Sequence, residues 1–346
     1  MHTSLKSSAC RPMMIMLLIA AAVLYQAPPL CAADMEITPF RTANRAPLAQ
    51  LFGIPSETSA DVLPRFRCAV ALTQDVASNY TTHATSREQL LFDGESYRWG
   101  VTARCGVTDT IEAGVEVPLL LHGGGFLDGF IVGWHNFFGL PQGGRDTAPR
   151  NQLQYSYRRD GVQKLTMDRS GGGIGDISLL AALKLYDVKE ADDHSSLALR
   201  GQLKLPTGDA GRLQGSGSTD ISLNLCGSIN RQSEWGSLGV FGSLGGMAMT
   251  RGSVLADQQN NLAGIATAGI GWGPASWISF KLQLNGTTPL YHDSSLAELS
   301  SNSLMLVIGG ALKLPGDYLV DIGVSEDVAV ATAPDVTFHL GVIRHF

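Results

Sequence analysis

The sequence predicts an all-β protein: a transmembrane antiparallel β-barrel of about twelve strands, with a long loop at 122–173 that carries a short amphipathic helix. Three observations predict it. Apolar and polar residues alternate with period two over long runs, the connections between those runs alternate short and long, and aromatic residues gather where the short connections lie. Period-two alternation puts successive side chains on opposite faces of a strand. Tight turns on one side, larger loops on the other and rings of aromatics at the lipid–water boundary are the habit of outer-membrane barrels. Composition agrees. Of 346 residues 40 are Gly and only 16 % of the chain is charged, which excludes coiled coil and charge-rich disorder. The formal net charge of −6 argues against a nucleic-acid partner, which takes clustered Lys and Arg.

The first element is an address. Lys6 and Arg11 form a basic stretch, Met13 to Tyr25 is apolar, and small residues at Cys31, Ala32 and Ala33 precede Asp34. This reads as a signal peptide over 1–33, cleaved on export, with too short an apolar run to span a bilayer. Residues 34–64 lack alternation and read as a periplasmic N-terminal segment, and the barrel occupies 65–346.

The strands follow in order. Tyr97, Trp99, Val101, Ala103, Cys105 and Val107 share one parity, against Arg98, Gly100, Thr102, Arg104 and Gly106. Ile111 to Leu121 repeats the pattern, as do Leu197 to Leu205 and Ile278 to Leu284. The full set is 65–77, 96–107, 111–121, 174–187, 195–205, 219–230, 236–250, 261–273, 276–287, 302–314, 318–328 and 335–346. Its long connections are 78–95, 122–173, 206–218, 251–260, 288–301 and 329–334. Tyr186, Trp235, Trp272, Trp277, Tyr318 and Phe346 fall on the short-turn side, the expected periplasmic one. The last strand carries Phe338, Leu340, Val342 and Phe346, a pattern resembling the C-terminal signal read by the barrel-assembly machinery of Gram-negative bacteria. The expected setting is therefore the outer membrane of such a bacterium, with its lipid as a partner.

Several motifs also resemble a Gram-negative outer-membrane family, domain of unknown function 3187. They are Phe52-Gly53-Ile54-Pro55-Ser56, Ala60-Asp61-Val62-Leu63, Asp93-Gly94-Glu95, Gly124-Gly125-Phe126-Leu127-Asp128, Trp134-His135 and Phe138 through Arg145. Lys204 through Asp209, Gly215 through Asp220 and Ala333-Pro334-Asp335-Val336 complete the set. The Leu205 to Asp209 stretch is also similar to barrels associated with aromatic-compound degradation. The resemblance implies an outer-membrane barrel and no particular activity.

Chemistry-bearing residues then sort by place. The expected lumen carries Arg67, Arg98, Arg104, Lys184, Arg200, Lys204, Lys281 and Lys313 against Asp75, Glu112, Glu116, Asp176, Asp321 and Asp327. The turn at 108–110 places Arg104 across from Gly114, with Glu112 and Glu116 as diagonal neighbours. Buried charges need partners, so structural pairing outweighs a selectivity ring. In the long loop, Phe126, Phe130, Trp134, Phe137 and Phe138 recur at helical spacing and are candidates to plug the mouth or touch a ligand. Tyr155 to Met167, centred on Asp160-Gly161, reads as a hairpin. Cys68 and Cys105 lie near the periplasmic ends of the first two strands, as a disulfide or as two lipid-facing small residues. No sequence cluster has metal-ligand spacing, and no cofactor is expected.

One enzymatic alternative rests on Tyr291-His292-Asp293-Ser294-Ser295, which weakly resembles outer-membrane phospholipase A, with Ser294 as nucleophile and His292 as base. A polar turn is the simpler reading. The expected function is not enzymatic: a channel or carrier for small molecules, apolar ones included, gated by the 122–173 loop. The other alternative is a non-conducting structural or surface-interaction barrel.

Overall fold

A computed structural model describes residues 35–138, 148–328 and 332–346. The signal-peptide reading and the motif from Gly139 to Arg145 lie outside the described residues. The strands are β1 (Cys68–Ala84), β2 (Glu88–Gly106), β3 (Ile111–Gly123), β4 (Gln154–Arg159), β5 (Val162–Met167), β6 (Gly171–Ile174), β7 (Ser178–Lys189), β8 (Asp193–Lys204), β9 (Asp220–Ser233), β10 (Gly236–Met249), β11 (Leu262–Ala275), β12 (Ile278–Thr287), β13 (Ser303–Leu314), β14 (Tyr318–Asp327) and β15 (Val336–His345). Helix α1 spans Asp128–Phe138 and a single turn, α2, spans Ala297–Ser300.

Twelve of these strands form a closed antiparallel barrel. Each pairs with its sequence neighbour, β3 pairs with β7, and β15 returns to β1 in the register Ala69↔His345 through Ser78↔Val336. Closure leaves no sheet edge, the condition a strand protein must meet in lipid. Alternation sets the two faces. Leu223, Leu225, Val240, Ile270, Leu282, Ile308 and Ile322 are exposed on the outside. Asp75, Arg104, Glu112, Arg200, Asn224, Lys281 and Asp321 are buried inside. Trp235, Trp272, Trp277 and Tyr186 stand exposed at the short-turn end, as a membrane-boundary girdle requires.

Three short strands lie outside the ring of twelve. Strand β6 continues the line of β7 along β3. The ladder breaks between Glu116↔Ser178 and Leu119↔Ile174, beside Pro118, which has no N–H to give; its carbonyl accepts from Gly175 N instead. The β4–β5 hairpin turns at Asp160-Gly161, with φ of 50° and 77°, the left-handed pair of a type I′ turn. It pairs with the outer end of β2 from Glu88↔Arg159 to Asp93↔Gln154, adding to the rim without widening the barrel.

The structure corrects the long connection expected at 78–95. Strands β1 and β2 run on through it as a ladder ending at Ala84↔Gln89. The polar residues Asn79 to Thr82 hid this extension, because beyond the membrane a strand no longer needs an apolar face.

A larger correction concerns residues 34–64, expected in the periplasm. Residues 35–64 thread the barrel interior. Ile37 N donates to Asn230 Oδ1 and Phe40 N to Gln283 Oε1, and Asn44 donates to Ser303 Oγ, successively farther from the short-turn end. The chain turns over at Ala49–Leu51, and Gly53 N donates to Asp220 Oδ2 near the long-loop end. It then descends until Leu63 N donates to Glu112 Oε2, and β1 begins. The segment is thus a two-limbed plug.

Candidate functional site

The plug and the wall that holds it form the site. Wall glycines make room for it: a Cβ on Gly239 would lie 2.3 Å from Ile37 Cβ, and one on Gly271 would lie 2.4 Å from Ile37 Cγ2. Hydrogen bonds and ion pairs make much of the remaining contact. On the ascending limb, Arg45 Nε donates to Asp75 Oδ2 at 2.6 Å, and the same carboxylate accepts from His339 Nδ1 at 2.6 Å and Thr42 Oγ1 at 3.2 Å. Lys281 pairs with Asp321 at 2.6 Å and stands 4.0 Å above the Phe40 ring. Across the two limbs, Arg41 bonds Glu57 at 2.7 Å. Glu57 also pairs with Arg104 at 3.3 Å, while Arg104 and Arg200 each reach Glu112 at 3.0 Å. Under the plug's apex, Lys204 Nζ donates to Asp176, Ser216 and the Leu51 carbonyl and pairs with Asp220.

Of the charges expected in the lumen, Arg98, Arg104, Glu112, Glu116, Arg200, Lys204 and Lys281 point inward and are paired. Arg104 stands across from Gly114 and takes Glu112 as its diagonal partner; Glu116 pairs with Arg98 instead. What strand patterning missed was the plug's share, Arg41, Arg45 and Glu57. Those residues lie in a stretch with no periodicity to orient them.

Above the apex the lumen becomes apolar. Leu48, Leu51 and Phe52 of the plug pack with Leu90, Phe92, Met247, Met249, Ile265, Leu290 and Tyr291. The 122–173 loop covers this core, but with Leu153, Tyr155, Tyr157 and Met167. Tyr157 OH donates to Glu88, which also accepts from Ser294 and Ser295, clamping the 288–302 loop to the hairpin.

The candidate aromatics of α1 are elsewhere. Phe130 packs edge-on against Phe338, with ring centroids 5.7 Å apart, and Leu127 and Ile131 pack with Val76, Val324 and Val336. Val76, Val324 and Phe338 have the outward parity of their strands, since Asp75, Asp321 and His339 face inward. The helix thus lies on the outer wall, over β1, β14 and β15. Phe126, Phe130 and Phe137 are 68, 52 and 82 % exposed there. None of the three lines the lumen; the side chains of Trp134 and Phe138 lie outside the described ones. Glu95 fixes the helix by accepting from Phe126 N and Leu127 N, and Gly125, at φ +74°, passes so close that a Cβ would sit 1.8 Å from Glu95 Cδ. Helical spacing was legible, but a helix pattern does not say which side of a barrel wall it covers.

The remaining candidates resolve plainly. Cys68 and Cys105 face each other across β1 and β2 and are joined by a disulfide. Phe338, Leu340 and Val342 line the outer face, and Arg344 lies over the Phe346 and Tyr318 rings. Ser294 bonds Glu88 and His292 pairs with Asp293, so the nucleophile has no imidazole base among the described residues. At the short-turn end, an open vestibule of about 590 Å³ is lined by Arg67, Lys184, Lys189, Lys313 and His345 among others. There the plug's Glu36 and Asp61 meet His194 with ligand-type atoms within 4.8 Å of one another, a meeting that their sequence positions conceal. His194 is bonded to Glu36 and Asp187, and Lys189 shares Glu36.

The chain matches the model of a family described as protein of unknown function (DUF3187) over residues 15–346. It belongs to that family. Its quoted motifs converge in space: Phe52-Gly53, Lys204 and Ser216 to Asp220 at the plug's apex, Glu95 and Gly124 to Asp128 at the helix anchor. No curated protein matches the sequence. Among solved structures, the family member is similar to the COG4313 outer membrane channel from Pseudomonas putida F1, at 15 % identity and a TM-score of 0.52, covering 83 % of this chain and 98 % of that one. This likeness shows the outer-membrane barrel fold. The translocator domain of autotransporter NalP from Neisseria meningitidis is 11 % identical, with a TM-score of 0.39 over 83 % of this chain and 91 % of that one. LpxR from Salmonella typhimurium is 10 % identical, with a TM-score of 0.39 over 80 % and 100 %.

Proposed function

We propose that the protein is a channel or carrier that takes small molecules, apolar ones included, across the outer membrane, with residues 35–64 as its internal plug. The observation that carries this is what closes the lumen. A length of chain outside the sheet fills it, joined to the wall by hydrogen bonds and ion pairs as well as by apolar contacts, and the wall behind that chain bears glycines. Wall side chains by themselves fill a barrel of about eight strands; a ring of twelve leaves a wider lumen, and here it is added chain that closes it. The apolar chamber above the plug favours uncharged cargo, and the solved channel of the same fold supports transport. The 122–173 loop serves as outer lid through Tyr155, Tyr157 and Met167, while α1 lies toward lipid. Export by a cleaved signal over 1–33 and assembly through Phe338, Leu340, Val342 and Phe346 complete this reading.

The test is planar-bilayer conductance of the refolded protein beside a variant lacking 37–60, with heat-modifiable gel mobility confirming folded barrels. A sharp rise on deletion is expected. Folded but equally silent barrels refute the channel and favour a surface-interaction barrel.

A further inference from the structure

At the short-turn end the two ends of the plug meet on the barrel wall. Glu36 opens the ascending limb, Asp61 lies near the foot of the descending one, and His194 stands on β8. One ligand-type atom of each lies within 4.8 Å of the other two, and Glu36 Oε1 is 3.0 Å from His194 Nδ1. All three line the open vestibule, which gives an ion a route in and room for water beside it. The ring is held from behind. Asp187 Oδ1 stands 2.8 Å from His194 Nε2, and Lys184 Nζ donates to that carboxylate's other oxygen at 2.8 Å. A carboxylate only accepts, so Nε2 carries its hydrogen and Nδ1 is the nitrogen turned toward Glu36. A carboxylate behind the imidazole is the usual support of a metal-ligating histidine. Asp61 is set with similar care: Ser59 Oγ donates to its Oδ2 at 3.1 Å and Ser196 Oγ to its Oδ1 at 3.2 Å.

Two carboxylates brought this close repel each other unless a cation lies between them. A proton on Nδ1 does not serve both. An imidazolium has two N–H groups, here taken by Glu36 and Asp187, and Asp61 forms no ion pair among the described residues. Lys189 reaches Glu36 alone, at 3.2 Å, from a side chain 69 % exposed that can turn to solvent. One divalent ion serves all three groups. Ligand atoms on a tetrahedral ion with bonds of about 2.0–2.1 Å stand about 3.3 Å apart. Glu36 and His194 already meet that spacing, and Asp61 has at most about 1.5 Å to close. The imidazole nitrogen favours a transition metal over calcium and magnesium, which take oxygen ligands.

We propose that Glu36, Asp61 and His194 bind a divalent transition-metal ion of the zinc type, with Asp187 orienting the ring and water completing the coordination, and that the ion fastens both limbs of the plug to the wall. On binding, any proton on Nδ1 passes to solvent and Lys189 leaves Glu36. The site stands on its own geometry; the fastening rests on the transport reading, in which residues 35–64 are the plug.

The test is titration calorimetry of zinc into the intact, untagged, detergent-folded protein, with calcium and magnesium as controls, beside hydrogen exchange over 35–64. Zinc is expected to bind at micromolar concentration and to slow that exchange. His194→Ala and Asp61→Asn should lose both effects, and Asp187→Asn should weaken binding about 10–100-fold. Heat-modifiable gel mobility confirms that each variant is a folded barrel. No zinc binding by the parent, or an affinity unchanged in both His194→Ala and Asp61→Asn, overturns the site and leaves His194 an ion-pair bridge between plug and wall. Calcium binding as tightly as zinc overturns the class of ion, and zinc binding without slower exchange overturns the fastening. Conductance of the plug-deleted variant is scored separately. Zinc binding with a silent deletion variant refutes transport alone, and conduction without zinc binding refutes the site alone.

Discussion

Asp75→Asn is the sharpest perturbation of the plug. The side chain is 1 % exposed and accepts from Arg45, His339 and Thr42, so two of its three partners belong to the plug. Asparagine keeps the shape but removes the charge, leaving the Arg45 guanidinium, 5 % exposed, without a counter-ion. Breaking a buried pair in this way costs about 3–5 kcal/mol. The barrel ladder does not use the Asp75 carboxylate, so the cost falls on plug docking. At about 1.4 kcal/mol per factor of ten, the ratio of docked to undocked plug falls at least about 150-fold. Single-channel recording reads this directly as the fraction of time spent open, with gel mobility reporting the barrel. Open time unchanged from the parent, in a folded barrel, would refute the view that this ion pair latches the plug. Loss of the folded barrel would refute the separation of plug stability from barrel stability.

Three further outcomes are expected. Gly125→Ala forces a Cβ into Glu95 at a left-handed φ and releases α1 from the wall, read as faster proteolysis within 124–150 at unchanged barrel mobility. Burial alone would raise the Glu88 carboxyl, but hydrogen bonds from Ser295, Tyr157 and Ser294 prevail and lower it from 4.5 to about 2. Its contribution to the outer cap is therefore full above about pH 4.5 and is lost as pH falls toward 2; hydrogen exchange in 154–167 should rise over that window, and should not do so in Glu88→Gln. Reducing the Cys68–Cys105 bond, which spans 37 residues, should lower stability to urea by up to about 4 kcal/mol without loss of the barrel, and Cys68→Ser should match the reduced protein.

The strands and their faces were legible because each is a local statement: alternation fixes which side chains face lipid, and a short turn fixes register with the next strand. That is why the pattern sets Arg104 opposite Gly114, and Cys68 and Cys105 near one another. The Asp160-Gly161 hairpin was legible for the same reason, its turn being chosen by two residues.

Sequence alone determined the barrel, its twelve strands and its polar lumen, because period-two patterning and turn chemistry act over a few residues. Only the tertiary structure decided what fills the lumen and what covers the outer wall. Residues 35–64 carry no repeat to orient them; their limbs are placed by Arg45 finding Asp75 on β1 and by Phe40 and Asn44 finding Gln283 on β12 and Ser303 on β13, walls that surround one plug only when the last strand closes on the first. Helix α1 had a readable apolar face, but a barrel offers two surfaces that accept one. The choice of the outer wall was made by Glu95 and Phe338, brought together from opposite ends of the chain by that same closure.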